Sequence, residues 1–220
     1  ALAFDAEGNL WAGGAFTGAG GVANTDEIAY WDGTAWNSAG GGATNATVYA
    51  LAVDADGQVW AGGNFTTIGG DSATRVAYWD GTNWNDTKAD GADDEVYTLA
   101  LHPSGDMYAG GDFLNIGNKA ANRVARYSNG NWYAMGDGVG NTVKALAITG
   151  DGTVYIGGSF MDQGSRVCSW NGTTYTAMTD YWNDDTVNAL HIGPDGKLWA
   201  AGKGSGDVSQ SGAAGPWWGP

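Results

Sequence analysis

Residues 48–95 read VYALAVDADGQVWAGGNFTTIGGDSATRVAYWDGTNWNDTKADGADDE, and this stretch decides the fold because it recurs along the chain. One leucine marks each copy, with spacings of 49, 48, 47 and 44 residues between Leu2, Leu51, Leu99, Leu146 and Leu190. An aromatic residue follows at the same four spacings, at Trp11, Trp60, Tyr108, Tyr155 and Trp199. Two landmarks that drift together indicate a repeated structural unit, and a period of this size is typical of propellers and solenoids.

Each unit reads as four short strands. Residues 48–53 alternate bulky with small side chains, which is the period-two pattern of a strand. Further strands are predicted over residues 58–62, over Val76 to Trp79 and around Trp84, with Asp80-Gly81 as a hairpin turn before the last. Four antiparallel strands without a helical stretch predict a propeller blade. The units, about 1–47, 48–95, 96–142, 143–186 and 187–220, therefore predict one all-β propeller domain of about five blades.

One strand position carries a large aromatic side chain in four units and predicts burial between blades, at Trp31, Trp79, Tyr127 and Trp170. The lone cysteine, Cys168, cannot form an intrachain disulfide. It stands where the other units have alanine, so it is expected to be a small core residue.

The fifth unit departs from the repeat after Gly202. Ala201 replaces the first glycine of a Gly-Gly pair, and no third or fourth strand is predicted in the tail GSGDVSQSGAAGPWWGP. We expect a degenerate last blade closed by Trp217 and Trp218, or a ring that continues in sequence beyond this chain. An incomplete sheet edge also predicts a contact with a second copy or a partner chain. Because Ala1 already lies inside a strand pattern, a fragment or a processed product is expected.

The string GGNFTTIGGDSATRVAYWDGTNW, residues 62–84, recurs as GGAFTGAGGVANTDEIAYWDGTAW, GGDFLNIGNKAANRVARYSNGNW and the shortened GGSFMDQGSRVCSWNGTTY. These strings resemble kelch-type repeats, and more closely the delta-60-type and fungal cell-polarity-marker propeller repeats. The resemblance covers residues 1 to about 178 well and residues 187–202 in part. It implies a propeller that serves recognition in large surface proteins or in phage particles.

Charge and hydropathy exclude some partners. Nine basic against 24 acidic residues give a net charge of -15, which argues against nucleic acid, whose phosphates need a basic surface. No apolar run approaches the ~18 residues of a membrane span, so none is predicted.

The long loops are expected at one rim of the propeller, where recognition usually resides. Among them the link 179–186 is unusual, because it joins Tyr181 and Trp182 to Asp184 and Asp185. Rings cover the apolar faces of sugars and carboxylates bind their hydroxyls, so these four residues, with Asp93 and Asp94 on the same rim, are the predicted ligand site. The alternative is that Tyr181 and Trp182 pack beneath the loop.

The densest acidic cluster is Asp90, Asp93, Asp94 and Glu95. Oxygen ligands at this density could hold calcium, although no complete calcium loop motif is present and a solvated acidic surface is the simpler interpretation. No other cofactor is predicted.

Basic and imidazole side chains have structural interpretations. Arg75, Arg123 and Arg166 precede the third strand in three units, which predicts a bond to a carboxylate or carbonyl of the preceding loop. His102 belongs to a turn. His191 replaces an alanine of the innermost strand, so it is expected near the central channel or in the core, bonded to backbone.

No nucleophile, metalloprotease or phosphate-loop motif is present. The sequence therefore predicts a non-enzymatic recognition or adhesion module, extracellular or displayed on a cell or virion surface, that binds a glycan or a protein. The alternative is a carbohydrate-active enzyme domain with paired loop carboxylates.

Overall fold

The computed structural model describes residues 1–40, 44–87, 91–161, 165–178, 186–203 and 215–216. Within these residues, four antiparallel sheets of four strands and a fifth of three strands follow one another in sequence. In each sheet the strands lie side by side in sequence order. Within the described residues, the helical structure is a single 3-10 turn, Ala19–Gly21, and no helix is long and apolar enough to cross a membrane.

The sheets, numbered here as blades 1 to 5, have these strands. Blade 1 consists of Leu2–Phe4, Leu10–Gly13, Ile28–Trp31 and Trp36–Asn37. Blade 2 consists of Val48–Val53, Val59–Gly63, Val76–Trp79 and Trp84–Asp86. Blade 3 consists of Val96–Leu101, Met107–Gly111, Val124–Ser128 and Asn131–Ala134. Blade 4 consists of Val143–Ile148, Val154–Gly158, Val167–Trp170 and Tyr175–Ala177. Blade 5 consists of Thr186–Ile192, Leu198–Lys203 and Gly215–Pro216.

The first strands of consecutive blades contact each other, so they are the innermost strands, as the sequence predicts. The long loops of blades 2 and 3 also carry short outer hairpins, made of Thr67–Ile68 with Asp71–Ser72 and of Asn115–Ile116 with Lys119–Ala120.

A glycine of the second strand lets neighbouring blades approach closely. A Cβ atom placed on this glycine would meet Cγ1 of the first-strand valine of the next blade. The four distances are 2.6, 2.8, 2.4 and 2.9 Å, for the pairs Gly13–Val48, Gly62–Val96, Gly110–Val143 and Gly157–Val187. No side chain fits there without displacing the next blade.

The buried aromatic rings are mostly not those predicted from the third strand. Trp170 is buried, as expected, but Trp31, Trp79 and Tyr127 are only half-buried. These residues lie at or next to the ends of their strands, close to the tight turns. Deeply buried rings lie instead on second and fourth strands, at Trp11, Trp60, Tyr108, Trp84 and Trp132, and just after the second strands, at Phe65, Phe113 and Phe160. Cys168 is buried among core residues, as predicted.

Blade 1 has one uncovered face. Leu51 packs on the core that includes Trp11 and Ile28 of the preceding blade, whereas Leu2 and Phe4 are each 68% exposed. At the other end, the sequence predicted no third strand in blade 5, but Gly215–Pro216 pairs with Trp199 and Ala200. Blade 5 therefore has one short third strand that the sequence did not predict. The predicted plug residues, 217 and 218, lie outside the described part of the chain.

Candidate functional site

Most of the predicted ligand residues cannot be placed. Tyr181, Trp182, Asp184 and Asp185, and also Asp90 of the acidic cluster, lie outside the described residues. Asp93 and Asp94 are described and exposed, on the link between blades 2 and 3.

Asp93 has a structural task. Its Oδ1 accepts hydrogen bonds from the backbone N–H groups of Leu114 and Asn115, both at 2.9 Å, and its Oδ2 accepts one from Nδ2 of Asn115 at 2.7 Å. Burial by itself would raise the pKa of Asp93, but the bonds from Asn115 and Leu114 hold it below its ordinary value. The carboxylate therefore ties the link to the long loop of blade 3. Within the described residues, no group of three acidic, histidine or cysteine side chains could hold a metal ion.

A β-bulge near the start of the innermost strand in blades 2 to 5 leaves one extra residue at that end of each strand, which we call the mouth. The register of blade 2 pairs Val48 with Gly63 and Ala50 with Gly62, which leaves Tyr49 without a partner. The same shift occurs in the next three blades, where the extra residues are Tyr97, Lys144 and Asn188. Bulges redirect side chains and are frequent beside functional sites. Because first strands begin after a long link, this mouth opens on the long-loop rim.

Two of these extra residues form an aromatic pair across a blade junction. The rings of Tyr49 and Tyr97 lie 5.3 Å apart between centroids, at an angle of 43°. Nζ of Lys144 lies 5.6 Å from the centre of the Tyr97 ring, within the range of a cation–π contact. Asn188 is exposed on the same series of strands.

Carboxylates stand directly beside this pair. The Tyr97 hydroxyl is hydrogen-bonded to the Glu95 carboxylate and lies 3.2 Å from Oδ2 of Asp112. Since a hydroxyl has one proton, it can donate to only one of the two at a time. The other oxygen of Asp112 accepts a hydrogen bond from the Thr142 hydroxyl. We call the set Tyr49, Glu95, Tyr97, Asp112 and Lys144 the mouth cluster.

The two tyrosines of the mouth cluster remain protonated donors. Burial, the hydrogen bond to Glu95 and the charges of Asp112 and Glu95 raise the pKa of Tyr97 far above its ordinary value. Burial and the charge of Glu95 also raise the pKa of Tyr49. The mouth cluster thus offers two ring faces, two carboxylates, two hydroxyls and an ammonium group to a ligand.

Sequence reasoning missed the mouth cluster, although one signal was present. The first strands begin VYAL, VYTL, VKAL and VNAL, so the second residue varies most, between Tyr, Lys and Asn. Variation at one site of an otherwise regular repeat is expected where a residue serves a ligand rather than the frame. The bulge that exposes this residue could not be read from alternation alone.

The three arginines that precede a third strand donate hydrogen bonds to backbone carbonyls. Two of them bind the link after their blade and not the preceding loop, which the sequence predicted. Nη1 of Arg75 donates to Ala92 O at 3.4 Å, and Nη1 of Arg123 donates to Val139 O at 3.1 Å. Both acceptors lie in the link after the blade. The backbones of these two arginines have positive φ values, of 64° and 75°. Arg166 bonds the carbonyls of the preceding loop, as predicted.

One of the two histidines, His102, lies where the sequence predicted it, and the other, His191, does not. His102 lies in a turn, as expected, and its Nε2 is 3.0 Å from Gly152 O of the next blade. His191 is exposed, so the interpretation as a core histidine is wrong. Its equivalents, such as Ala52, pack against the following blade, whereas His191 stands on blade 5, where the repeat ends.

Comparisons with known proteins support the architecture. The model of the two component regulator propeller family matches residues 42–65, around the first hairpin of blade 2. No curated protein matches the chain. The extracellular domain of a B. thetaiotaomicron protein named as a one component system has a TM-score of 0.60 at 13% identity, over 90% of this chain and 25% of that one. The fold is a β-propeller.

Two further propellers show how varied such proteins are. PorZ, a surface component of the type-IX secretion system of Porphyromonas gingivalis, has a TM-score of 0.52 at 15% identity, over 93% of this chain and 31% of its own. A protein named as a gluconolactonase has a TM-score of 0.56 at 11% identity, over 92% of this chain and 73% of its own. The chain thus spans about a quarter of the length of the first structure. At these identities the likeness concerns the fold alone.

Proposed function

We propose that this propeller is a non-enzymatic recognition module that binds a glycan on its long-loop rim, with the mouth cluster as the centre of the site. The observation that carries the proposal is the series of β-bulges, which brings Tyr49 and Tyr97 of two blades together beside Glu95 and Asp112. A frame that only needed packing would not require an extra polar or aromatic residue in each of four successive innermost strands.

A sugar fits this chemistry. The ring faces of Tyr49 and Tyr97 cover apolar C–H groups, while Glu95 and Asp112 accept hydrogen bonds from hydroxyls. Lys144 and the tyrosine hydroxyls supply donors. A protein surface that presents hydroxyl and apolar groups is the second partner that this rim could accept, because the sequence predicts a glycan or a protein partner.

An extracellular or surface location belongs to the same proposal. Two of the similar structures are named as an extracellular domain and as a bacterial surface component. The acidic surface, with a net charge of -15, suits a protein that remains soluble outside the cell. Display on a virion and membership of the kelch-like or delta-60-type repeats remain predictions from the sequence.

The direct test is a glycan array probed with the purified protein. We expect binding to a restricted set of glycans, lost in Tyr49→Ala and weakened about tenfold or more in Tyr97→Phe, which removes only the hydroxyl. The matched control is Tyr133→Ala, on an outer strand and 43% exposed, which should bind normally. Unchanged binding by the two mouth variants would refute this site.

The link 179–186 is tested separately. Tyr181, Trp182, Asp184 and Asp185 are expected on the same rim as Asp93 and Asp94, which come from another blade, and stay a prediction. The double variant Tyr181→Ala/Trp182→Ala should reduce binding to the same glycans while the melting temperature changes little. If only this variant loses binding, the site lies on the link and not at the mouth cluster.

One observation favours a second candidate, a carbohydrate-active enzyme domain. Glu95 and Asp112 both approach the Tyr97 hydroxyl, so their carboxylates lie within about 6 Å of each other, two hydrogen-bond lengths. Paired carboxylates about 5–5.5 Å apart serve retaining glycosidases. Incubation of each glycan found on the array with wild type, Glu95→Gln and Asp112→Asn distinguishes the two. If the wild type hydrolyses a glycan and both variants have lost this activity, the domain is an enzyme and the recognition proposal is wrong.

A further inference from the structure

The structure also has a cleft of roughly 470 Å³ between blades 1 and 2, on the rim of tight turns. Its lining includes the turn residues Asp5, Glu7, Asp56 and Asp80, and the rings of Trp11, Tyr30 and Trp79. The Trp11 and Tyr30 rings are stacked at 5.1 Å, and the Trp11 and Trp79 rings lie 6.5 Å apart. The first strands begin at the long-loop rim and end at these turns, so the cleft lies opposite the mouth cluster.

The carboxylates around the cleft divide into two kinds. Asp5 is committed, since its Oδ2 accepts a hydrogen bond from Nε1 of Trp11 at 2.8 Å, and Asp80 caps its own hairpin through the backbone N–H of Asn83 at 2.8 Å. The carboxylates of Glu7 and Asp56 receive no hydrogen bond or ion pair from the residues that the structure describes. Among the described residues that line the cleft, there is no lysine, arginine or histidine.

The junction of blades 3 and 4 shows what the same architecture does when basic groups are available. Register makes the pairs Trp11–Tyr30 and Tyr108–Arg126 equivalent. The turn bonds from Asp5 N to Asn9 O and from His102 N to Asp106 O are likewise equivalent. Thus Arg126 and His102 of blade 3 stand where blade 1 has Tyr30 and Asp5.

In blade 3 these two residues bring basic groups beside the aromatic ring. Nη1 of Arg126 lies 3.5 Å from Oδ2 of Asp106, and the ring of His102 stacks on Tyr108 at 5.5 Å. The His102 side chain also reaches Gly152 O across the junction. Blade 1 has aromatic rings and carboxylates around its cleft, but it has no counterpart of the Arg126 and His102 side chains.

We propose that the cleft between blades 1 and 2 binds the guanidinium group of an arginine side chain on a partner polypeptide. The flat cation stacks on the faces of Tyr30 and Trp79 and pairs with the carboxylates of Glu7 and Asp56, in the way that Arg126 approaches Asp106 within blade 3. This site is independent of the glycan site, because it lies on the other rim and uses none of the mouth cluster.

The probe is the tripeptide Gly-Arg-Gly, with Gly-citrulline-Gly as its uncharged isostere. Binding is followed by NMR through the indole N–H signals of Trp11 and Trp79 and the amide signals of Gly57 and Gly81. We expect saturable shifts with the arginine peptide, about tenfold weaker binding of the citrulline peptide, and loss of binding in high salt. Equal affinity for the two peptides overturns the proposal.

Three variants complete the test. Glu7→Gln/Asp56→Asn should weaken binding about tenfold, and Tyr30→Arg should abolish it by supplying the guanidinium from the chain itself. Asp71→Asn/Asp137→Asn removes two exposed charges away from the cleft and should leave binding within about twofold of wild type. A loss equal to that of Glu7→Gln/Asp56→Asn would show a general charge effect and refute the site. Melting curves verify that each variant is folded, and unaltered binding by folded Tyr30→Arg refutes it too.

Discussion

A Cβ atom on Gly110 would lie 2.4 Å from Cγ1 of Val143, so the second strand of blade 3 accepts the first strand of blade 4 only because residue 110 has no side chain. Gly110 has no positive φ, and its cost on substitution is therefore steric rather than conformational. Gly110→Ala should lower the free energy of unfolding by about 1–3 kcal/mol, as for overpacked cores. Urea denaturation measures the change. Gly150→Ala, with nothing within 4 Å of the new methyl group, is the control and should be nearly neutral.

Leu2 and Leu146 occupy one repeat position but differ in exposure, at 68% and 8%. Leu146→Ala should cost about 2–5 kcal/mol, because it leaves a cavity between blades 3 and 4, whereas Leu2→Ala should cost well under 1 kcal/mol. The two variants are compared by thermal or urea unfolding. An equally large loss for Leu2→Ala would mean that a further blade or a second copy covers this face in solution.

Trp132 joins blade 3 to the end of blade 2 through a buried hydrogen bond. Its Nε1 donates to Oγ1 of Thr87 at 3.0 Å, and the two residues are 2% and 0% exposed. Trp132→Phe should cost about 1–3 kcal/mol, since the Thr87 hydroxyl then loses its donor. The double variant with Thr87→Val should be less destabilised than the sum of the single variants. Additive losses in this cycle would show that the bond contributes no coupling.

Asp93 should make stability depend on pH in the acidic range. Its pKa in the folded protein is below the unfolded value of 3.8, so its stabilising contribution is fully present above 3.8 and is lost as the pH falls through the folded value. The stability difference between wild type and Asp93→Asn should therefore shrink between pH 6 and pH 2. Melting temperatures across this range measure it. Asp94→Asn is the control and should cost less stability at pH 6, because among the described residues its carboxylate accepts one hydrogen bond, from the N–H of Glu95.

The positions of the strands and hairpin turns within each blade could be predicted from the sequence, because they depend on interactions between residues that are close together in the chain. Alternating side chains specify strands, Asp80-Gly81 specifies a hairpin, and the third strand runs from Val76 to Trp79 as predicted. Burial along the third strand was less predictable. Trp79 and Trp170 share a repeat position, yet Trp79 is half-buried and Trp170 is buried, since exposure depends on how each junction is filled.

The two proposed sites depend on the tertiary structure. Tyr49 and Tyr97 lie on the first strands of two blades and Asp112 directly follows a second strand, so only blade packing brings them together. Alternation also does not predict the bulges that leave Tyr49 and Tyr97 as extra residues. The sequence by itself determined which segments form blades, because strand periodicity and glycine requirements act over a few residues. Which side chains meet at the mouth and in the turn-rim cleft followed only from blade-to-blade packing, because that packing sets distances between residues far apart in the chain.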